Sequence, residues 1–341
     1  MKKNILALAV GAAVTALTVP AMAADVKVSG RAHMSVDQMS NGDKSKMDLS
    51  SNSSRIRFSG KTDVAEGLTA MMQLEQTINF DRRTKSDVFT SRDSFFGLKG
   101  DFGMVRLGYF DTPTKKVRSK TDMFGDRVGD ARNMTQGTFD QRFHNSIHYQ
   151  TPSFGGLQVD VQYSTDNRDG SADQTSTVNV RESHSTSLSY KAGDLFAVVA
   201  YESQGQNDGV DAKVGTRAGV TYNLAKGFKL AGFFESADKN SNDNTVMGVG
   251  AYYDLNSDLR LRGQYYMAGE SSAKKDGASM LAVGVDRKFG KDLTLYAVYG
   301  MVANGDNASF TVTGGGHGSE MDPVAAGKDV NAISLGAIYN F

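Results

Sequence analysis

The sequence predicts an all-β fold: a transmembrane, antiparallel, up-and-down β-barrel of sixteen strands. Three observations predict it. Short segments of alternating polarity recur from Val26 onward, tight and long connections alternate between them, and the last segment stops on Phe341. In that last segment Phe341, Tyr339, Ala337, Leu335 and Ile333 fall on one side. Asn340, Ile338, Gly336, Ser334 and Ala332 fall on the other. Successive strand side chains point to opposite faces, so this is a strand with one greasy face. A closed barrel needs such a strand to seal against its first; taken alone, the segment also fits a core strand of a β-sandwich.

The N-terminus supplies context. Lys2 and Lys3 precede an apolar stretch from Ile5 to Val19, followed by Pro20 and Ala21-Met22-Ala23. This is the pattern of a secretory signal peptide, and the stretch is short for the ~20 residues of a membrane-spanning helix. Residues 1–23 are expected to be removed, leaving 24–341 as one barrel domain with no visible linker. The mature chain then keeps 36 of the 38 basic side chains against 38 acidic ones, a balance that points to no nucleic-acid partner. There is no cysteine, so an exported chain holds together without disulfides. No later stretch approaches 18 apolar residues, and 37 glycines with 31 aromatics suit strands facing lipid on one side and water on the other.

The first strand shows the pattern clearly: Val26, Val28, Gly30, Ala32, Met34 and Val36 oppose Lys27, Ser29, Arg31, His33, Ser35 and Asp37. Ile56 and Phe58 oppose Arg55, Arg57 and Lys61, and Leu259, Leu261, Gly263 and Tyr265 oppose Arg260, Arg262 and Gln264. The segments fall near 25–38, 52–64, 67–80, 92–100, 103–110, 143–151, 156–166, 181–191, 194–203, 213–223, 227–237, 244–254, 258–270, 278–289, 293–303 and 330–341. Tight turns such as Asp101–Phe102, Ala192–Gly193 and Gly290–Lys291 alternate with long polar connections at 39–51, 111–142, 167–180 and 304–329. Short turns at one rim and long loops at the other are the outer-membrane barrel arrangement. Trp is absent, so an interfacial girdle falls to Tyr109, Tyr163, Tyr190, Tyr222, Tyr299 and Tyr339.

The connection 111–142 is far longer than a typical one. Folded inward, it would place Asp122, Asp126 and Asp130 in the lumen, opposite Arg31, Arg55, Arg57 and Arg142 on the faces assigned to water; Arg260 and Arg262 are further luminal candidates. Carboxylates facing guanidiniums across a narrow gap create a transverse field that favours polar solutes. An ordinary solvated external loop is the other reading of the same residues.

The signal peptide, SSRIRFSGKTDVAEGLTAMMQLEQTINFD (53–81), SRDSFFGLKGDFGMVRLGYFDTP (91–113) and the terminal GAIYNF resemble Gram-negative general porins. The resemblance spans the chain and is specific around 53–113 and at the C-terminus. It implies a homotrimeric outer-membrane channel for small hydrophilic solutes and ions, in contact with lipid and lipopolysaccharide, with its third external loop folded into the lumen. By local context Arg31, Arg55, Arg92 and Arg142 match the family's basic positions, and Asp122 and Asp126 match the acidic pair. Phe341 matches the signal read by the barrel assembly machinery. The proline-containing loop tip of enteric members is absent, Arg127 interrupts the acidic run, and Lys115, Lys116, Arg118 and Lys120 load the loop base with positive charge. These departures leave cation or anion preference open.

One segment resists alternation. If Arg92 faces water, Phe95 and Lys99 face outward, which is costly against lipid and implies packing against a neighbouring subunit; otherwise Arg92 points elsewhere. No cofactor is implied. His144 and His148 share a face but would lie about 13 Å apart at ~3.3 Å per residue, too far for one metal ion. Asp238, Asn240 and Asn242 imitate the start of a calcium loop, but Asp243 occupies the glycine position. Three functions compete: a passive channel; a substrate- or ion-selective porin using luminal aromatics such as Phe233, Tyr266 and Tyr296; and an outer-membrane enzyme, for which no catalytic set is placed as a unit.

Overall fold

The computed structural model describes residues 25–81, 89–167, 181–205, 212–238, 244–270, 275–319 and 324–341. The expected signal peptide and the calcium-like Asn240 and Asn242 lie outside them. The first strands are β1 (Asp25–Ser40), β2 (Ser45–Ser51), β3 (Arg55–Ala65), β4 (Leu68–Ile78), β5 (Phe89–Ser91), β6 (Ser94–Gly100) and β7 (Gly103–Asp111). Two short helices follow, α1 (Pro113–Thr121) and α2 (Arg132–Thr135). Then come β8 (Arg142–Gln150), β9 (Leu157–Ser164), β10 (Ser183–Ala192), β11 (Leu195–Gln204), β12 (Lys213–Ala225) and β13 (Phe228–Asp238). The last are β14 (Asn244–Asp254), β15 (Leu259–Ala268), β16 (Ala278–Phe289), β17 (Leu293–Asn304) and β18 (Val330–Asn340). β2 with β3, and β5 with β6, each make one barrel strand with a short break, so the sheet is a sixteen-stranded antiparallel barrel.

The barrel closes between its ends. β1 pairs with β18 from Arg31↔Asn340 to Ser40↔Asn331, and with β3 on its other side. Phe341 completes the seam: its carbonyl accepts from the Gly30 N–H at 2.7 Å, and its own N–H donates back at 3.1 Å. The phenyl ring lies over Gly30, where a Cβ would stand 2.2 Å from Cζ. Glycine at position 30 therefore makes room for the terminal ring. At the other end of β1 the expected long connection 39–51 is instead a tight turn, Asn41–Lys44, followed by β2. The Asn41 side-chain oxygen accepts from the N–H groups of Asp43 and Lys44, and Gly42 takes a φ of 90°. Polar Ser45–Ser51 pairs along β1 because its backbone, rather than its composition, satisfies the edge.

The faces are inverted relative to a water-soluble protein. Val28, Leu49, Phe58, Leu188, Val249, Leu281 and Leu335 are exposed, as are Tyr163, Tyr190, Tyr222, Tyr299 and Tyr339. Arg217, Glu202, Glu235, Gln264, Asp286 and His148 are buried. Apolar side chains outward and polar ones inward are what a barrel in lipid requires. Tyr109 departs from the expected girdle: its ring stacks on His144 at 4.4 Å.

Candidate functional site

Three of the four expected basic positions stand where the sheet register slips by one residue. β1 pairs Met34 with Ser51 but Arg31 with Arg55, so the β2–β3 strand carries one extra residue at its break, where Ser53 has a φ of 52°. β4 pairs Gln76 with Ser91 but Gln73 with Phe95, an extra residue at Arg92–Asp93. β7 pairs Gly108 with Ser146 but Phe110 with Phe143, an extra residue around Asn145, whose φ is 45°. A one-residue slip exchanges the two faces of everything beyond it, and bulges commonly re-aim side chains at functional sites. Without the first slip, Arg55 would share a face with exposed Leu49.

The second slip resolves the ambiguous segment and corrects the expectation that Phe95 and Lys99 face outward with Arg92 inward. Beyond the break Phe96 and Leu98 are exposed instead. Phe95 packs edge-on to Phe110 at 5.9 Å, and the Arg106 guanidinium lies over both rings, 4.9 and 4.3 Å from their centroids. Arg92 still reaches the inner wall, donating to Glu75 Oε1 at 2.8 Å; no subunit contact is needed to explain the segment. The third slip parts the two histidines. His144 stacks on Tyr109, while buried His148 lies 2.8 Å from Asp160 Oδ1.

The segment between β7 and β8 is organised from its start. Thr112 accepts from the Lys115 N–H through its side chain, and Pro113 opens α1 with a φ already suited to a helix. The segment then contacts the buried face of the wall repeatedly. Thr114 meets Ser185 at 2.8 Å, the Met123 N–H donates to Gln264, Gln264 donates to the Gly129 carbonyl, and Arg127 pairs with Asp286 at 3.3 Å. Its interior is a charge node: Arg118 reaches Asp122 at 3.0 Å, Asp130 at 2.9 Å and Asp140 at 2.8 Å. Arg217 of β12 bridges Asp140 at 2.9 Å and Glu235 at 2.6 Å, and donates to the Thr114 and Phe139 carbonyls. Burial alone would raise the Asp140 carboxyl, but Arg118 and then Arg217 outweigh it and hold it well below the usual carboxylate range.

Of the acidic residues expected to face the arginines, Asp126 does so. Its carboxylate stands 3.2 Å from Arg31 and 3.9 Å from Arg55. Asp122 has a side-chain exposure of 1 % against 24 % for Asp126, and accepts from Arg118 and the N–H groups of Phe124 and Ala131. Asp130 is also buried and accepts from the Asp126 and Arg132 N–H groups. Both stabilise the shape of the segment. Arg142 contacts Asp93 at 2.6 Å and Asp111 at 3.1 Å. Among the secondary candidates, Arg57 pairs with Glu75, and Arg260 pairs with Asp254 at 2.6 Å beneath the Tyr252 ring. Arg262 pairs with Asp286 and donates to the Met123 carbonyl, so it anchors the segment.

These groups surround a cavity of about 300 Å³. Seven basic side chains line it (Arg31, Arg55, Arg92, Lys115, Arg118, Arg132 and Arg142) against four acidic ones (Asp111, Asp122, Asp126 and Asp130). Sequence reasoning noted Lys115 only as loop charge; here it pairs with Asp111 at 2.6 Å. It missed Glu75, Asp93 and Gly316. Glu75 and Asp93 are marked by arginines that reach them from other parts of the sheet, and Gly316 by its contact with Asp126; a single sequence displays neither.

The Gram-negative porin family model matches residues 7–307. The chain is 30% identical over 164 residues to a major outer membrane protein P.IB of Neisseria lactamica, covering 48% of this chain and 46% of that protein. It is 28% identical over 310 residues to the Neisseria sicca protein of the same name, covering 83% of this chain and 78% of that protein. The chain thus spans about half the length of the first of these relatives. Among solved structures, an anion-selective porin from Comamonas acidovorans superimposes with a TM-score of 0.80 at 23% identity, covering 94% of this chain and all of that one. A Salmonella typhi OmpF complex with daunomycin gives 0.71 at 20% identity, covering 93% and 97%. Both likenesses are of fold.

Proposed function

The chain belongs to the Gram-negative porin family, and on that premise we propose that it forms a water-filled, anion-preferring channel in the outer membrane. Ions and small hydrophilic solutes diffuse through it down their gradients, with no turnover and no cofactor. The observation that carries this reading is the cavity lined by seven basic and four acidic side chains. The segment 112–141 lies inside the lumen in this reading and forms the constriction with Arg31, Arg55, Arg92 and Arg142 facing Asp126. In a narrow aqueous gap with low-dielectric walls, excess guanidinium charge lowers the energy of a passing anion and raises that of a cation. The Comamonas acidovorans protein of like fold is described as anion-selective, which accords with it. Phe233, Tyr266 and Tyr296 are each at most 5% exposed, so they offer little surface for a guided aromatic track.

The channel assembles as a homotrimer after cleavage between Ala23 and Ala24, with its apolar exterior against lipid and lipopolysaccharide. Purified protein in planar bilayers is expected to insert in events of three equal conductance steps that scale with bulk salt conductivity. Single steps from a monomer would overturn the trimer. Phe341 serves as the recognition end for the barrel assembly machinery. Deleting it is expected to cut the amount of inserted barrel several-fold while leaving the conductance of each inserted channel unchanged. Equal insertion by the truncated chain would remove that role.

A further inference from the structure

The run Gly314-Gly315-Gly316-His317-Gly318 stands in the last long connection, between β17 and β18. Its backbone is tied on two sides. Toward the β2–β3 break, Ser53 Oγ donates to the Gly316 carbonyl at 2.9 Å, the Gly318 N–H donates to Asn52 Oδ1 at 2.9 Å, and the Ser319 N–H donates to Ser50 Oγ at 2.7 Å. Toward the 112–141 segment, the Gly129 N–H donates to the Val312 carbonyl at 2.8 Å. Fully buried His317 stands 3.1 Å from the Asp37 carboxylate of β1.

Between these ties the Gly316 backbone passes against Asp126. A Cβ on Gly316 would stand 2.1 Å from Asp126 Oδ1 and 3.0 Å from its Cα. Gly314 and Gly315 have φ values of 105° and 69°, which favour glycine, but Gly316 is outside the left-handed region. Position 316 is glycine for space. Asp126 is fixed from behind as well, with a φ of 62° and its N–H on Asp130 Oδ2 at 2.8 Å. Its carboxylate is left turned toward Arg31 and Arg55.

We infer that Gly316 is a specificity-determining position: its bare backbone seats the Asp126 carboxylate against Arg31 and Arg55, and so sets how much guanidinium charge meets a passing ion unpaired. The inference rests on Asp126 facing the conduction path, as proposed above. Any side chain at 316 displaces that carboxylate, unmasks the two arginines and moves the channel further toward anions, although the net charge of the protein is unchanged.

The test is a mutant cycle read as reversal potential in a salt gradient, on trimers whose assembly is checked by resistance to detergent before heating. Asp126→Asn and Gly316→Ala should each shift the reversal potential toward anions, and the double variant should equal Asp126→Asn alone. Ser53→Ala, which releases the Gly316 carbonyl, should shift it the same way by less, and carries the test if Gly316→Ala does not assemble. An unchanged potential in both the Gly316 and Ser53 variants, beside a shift in Asp126→Asn, would overturn the inference alone. An equal Gly316→Ala shift in the Asp126→Asn background would do the same. No shift in Asp126→Asn would instead overturn the constriction reading beneath it.

Discussion

Replacing Arg55 and Arg142 together by glutamate is expected to reverse the ion preference of the channel. The cavity is lined by seven basic and four acidic side chains, with Glu75, Asp93 and Asp140 pairing Arg92, Arg142 and Arg118 from outside that lining, and the two substitutions make the local balance more negative by four charges. Both arginines line the cavity, Arg55 3.9 Å from Asp126 and Arg142 3.1 Å from Asp111. Two unit charges 4 Å apart interact by about 4 kcal/mol at an effective dielectric constant of 20, so a local inversion outweighs distant surface charge. Lys275→Glu is the matched control. Lys275 pairs with Asp306 in the open, with a side-chain exposure of 71%, and its reversal should leave the potential where it was. A double variant that keeps its anion preference would place the selective charges elsewhere.

Arg217→Ala is expected to give the largest loss of stability. Arg217 is fully buried between Asp140 and Glu235 and holds two loop carbonyls, so its removal leaves carboxylates in a dry wall without their bridging cation. Breaking a buried ion pair in this way costs about 3–5 kcal/mol. The assembled protein should dissociate at lower temperature, and its open-channel current should become noisier as the 112–141 segment loosens from β12. The pH dependence follows from Asp140, whose folded-state carboxyl is held below its ordinary value by Arg118 and Arg217 despite burial. A depressed carboxylate contributes stability that is fully present above the unfolded pKa of about 4 and is lost as pH falls through the lower folded value. The stability difference between the protein and its Asp140→Asn variant should therefore hold from neutral pH down to about pH 4 and narrow only below it. A difference that closes near neutral pH would contradict the node.

The parts of the fold that repeat were legible, and the parts that break the repeat were not. Alternation located the sixteen strands, because each lipid-facing residue is chosen by the same solvent contrast. The pairing of the last strand with the first followed from the need to leave no open edge. Register slips are invisible to alternation within one strand. Each is a property of two strands paired across the sheet, and only the unreadable Arg92–Lys99 segment betrayed one. The polar hairpin at Asn41–Lys44 escaped because Ser45–Ser51 carries little apolar signal, although Asn41-Gly42 is a recognised turn pair.

The same limit applies to the site. Motif context brought Arg31, Arg55, Arg92 and Arg142 together, but gave Asp122 and Asp126 equal standing. Their difference comes from Arg118, four residues from Asp122, which draws that carboxylate into the loop interior while Asp126 remains turned to the wall. Gly316 lies 190 residues from Asp126 in the chain, and nothing local at either position announces that they touch.

The most direct measurement is the zero-current potential of the unmodified protein in a planar bilayer separating concentrated from dilute potassium chloride. Potassium and chloride have nearly equal mobility in water, so the sign reports the selectivity of the pore. The guanidinium-rich lining of the proposed constriction predicts the sign set by chloride, collapsing toward zero as salt is raised and the charges are screened. A potential of the opposite sign, set by potassium at low salt, would contradict it.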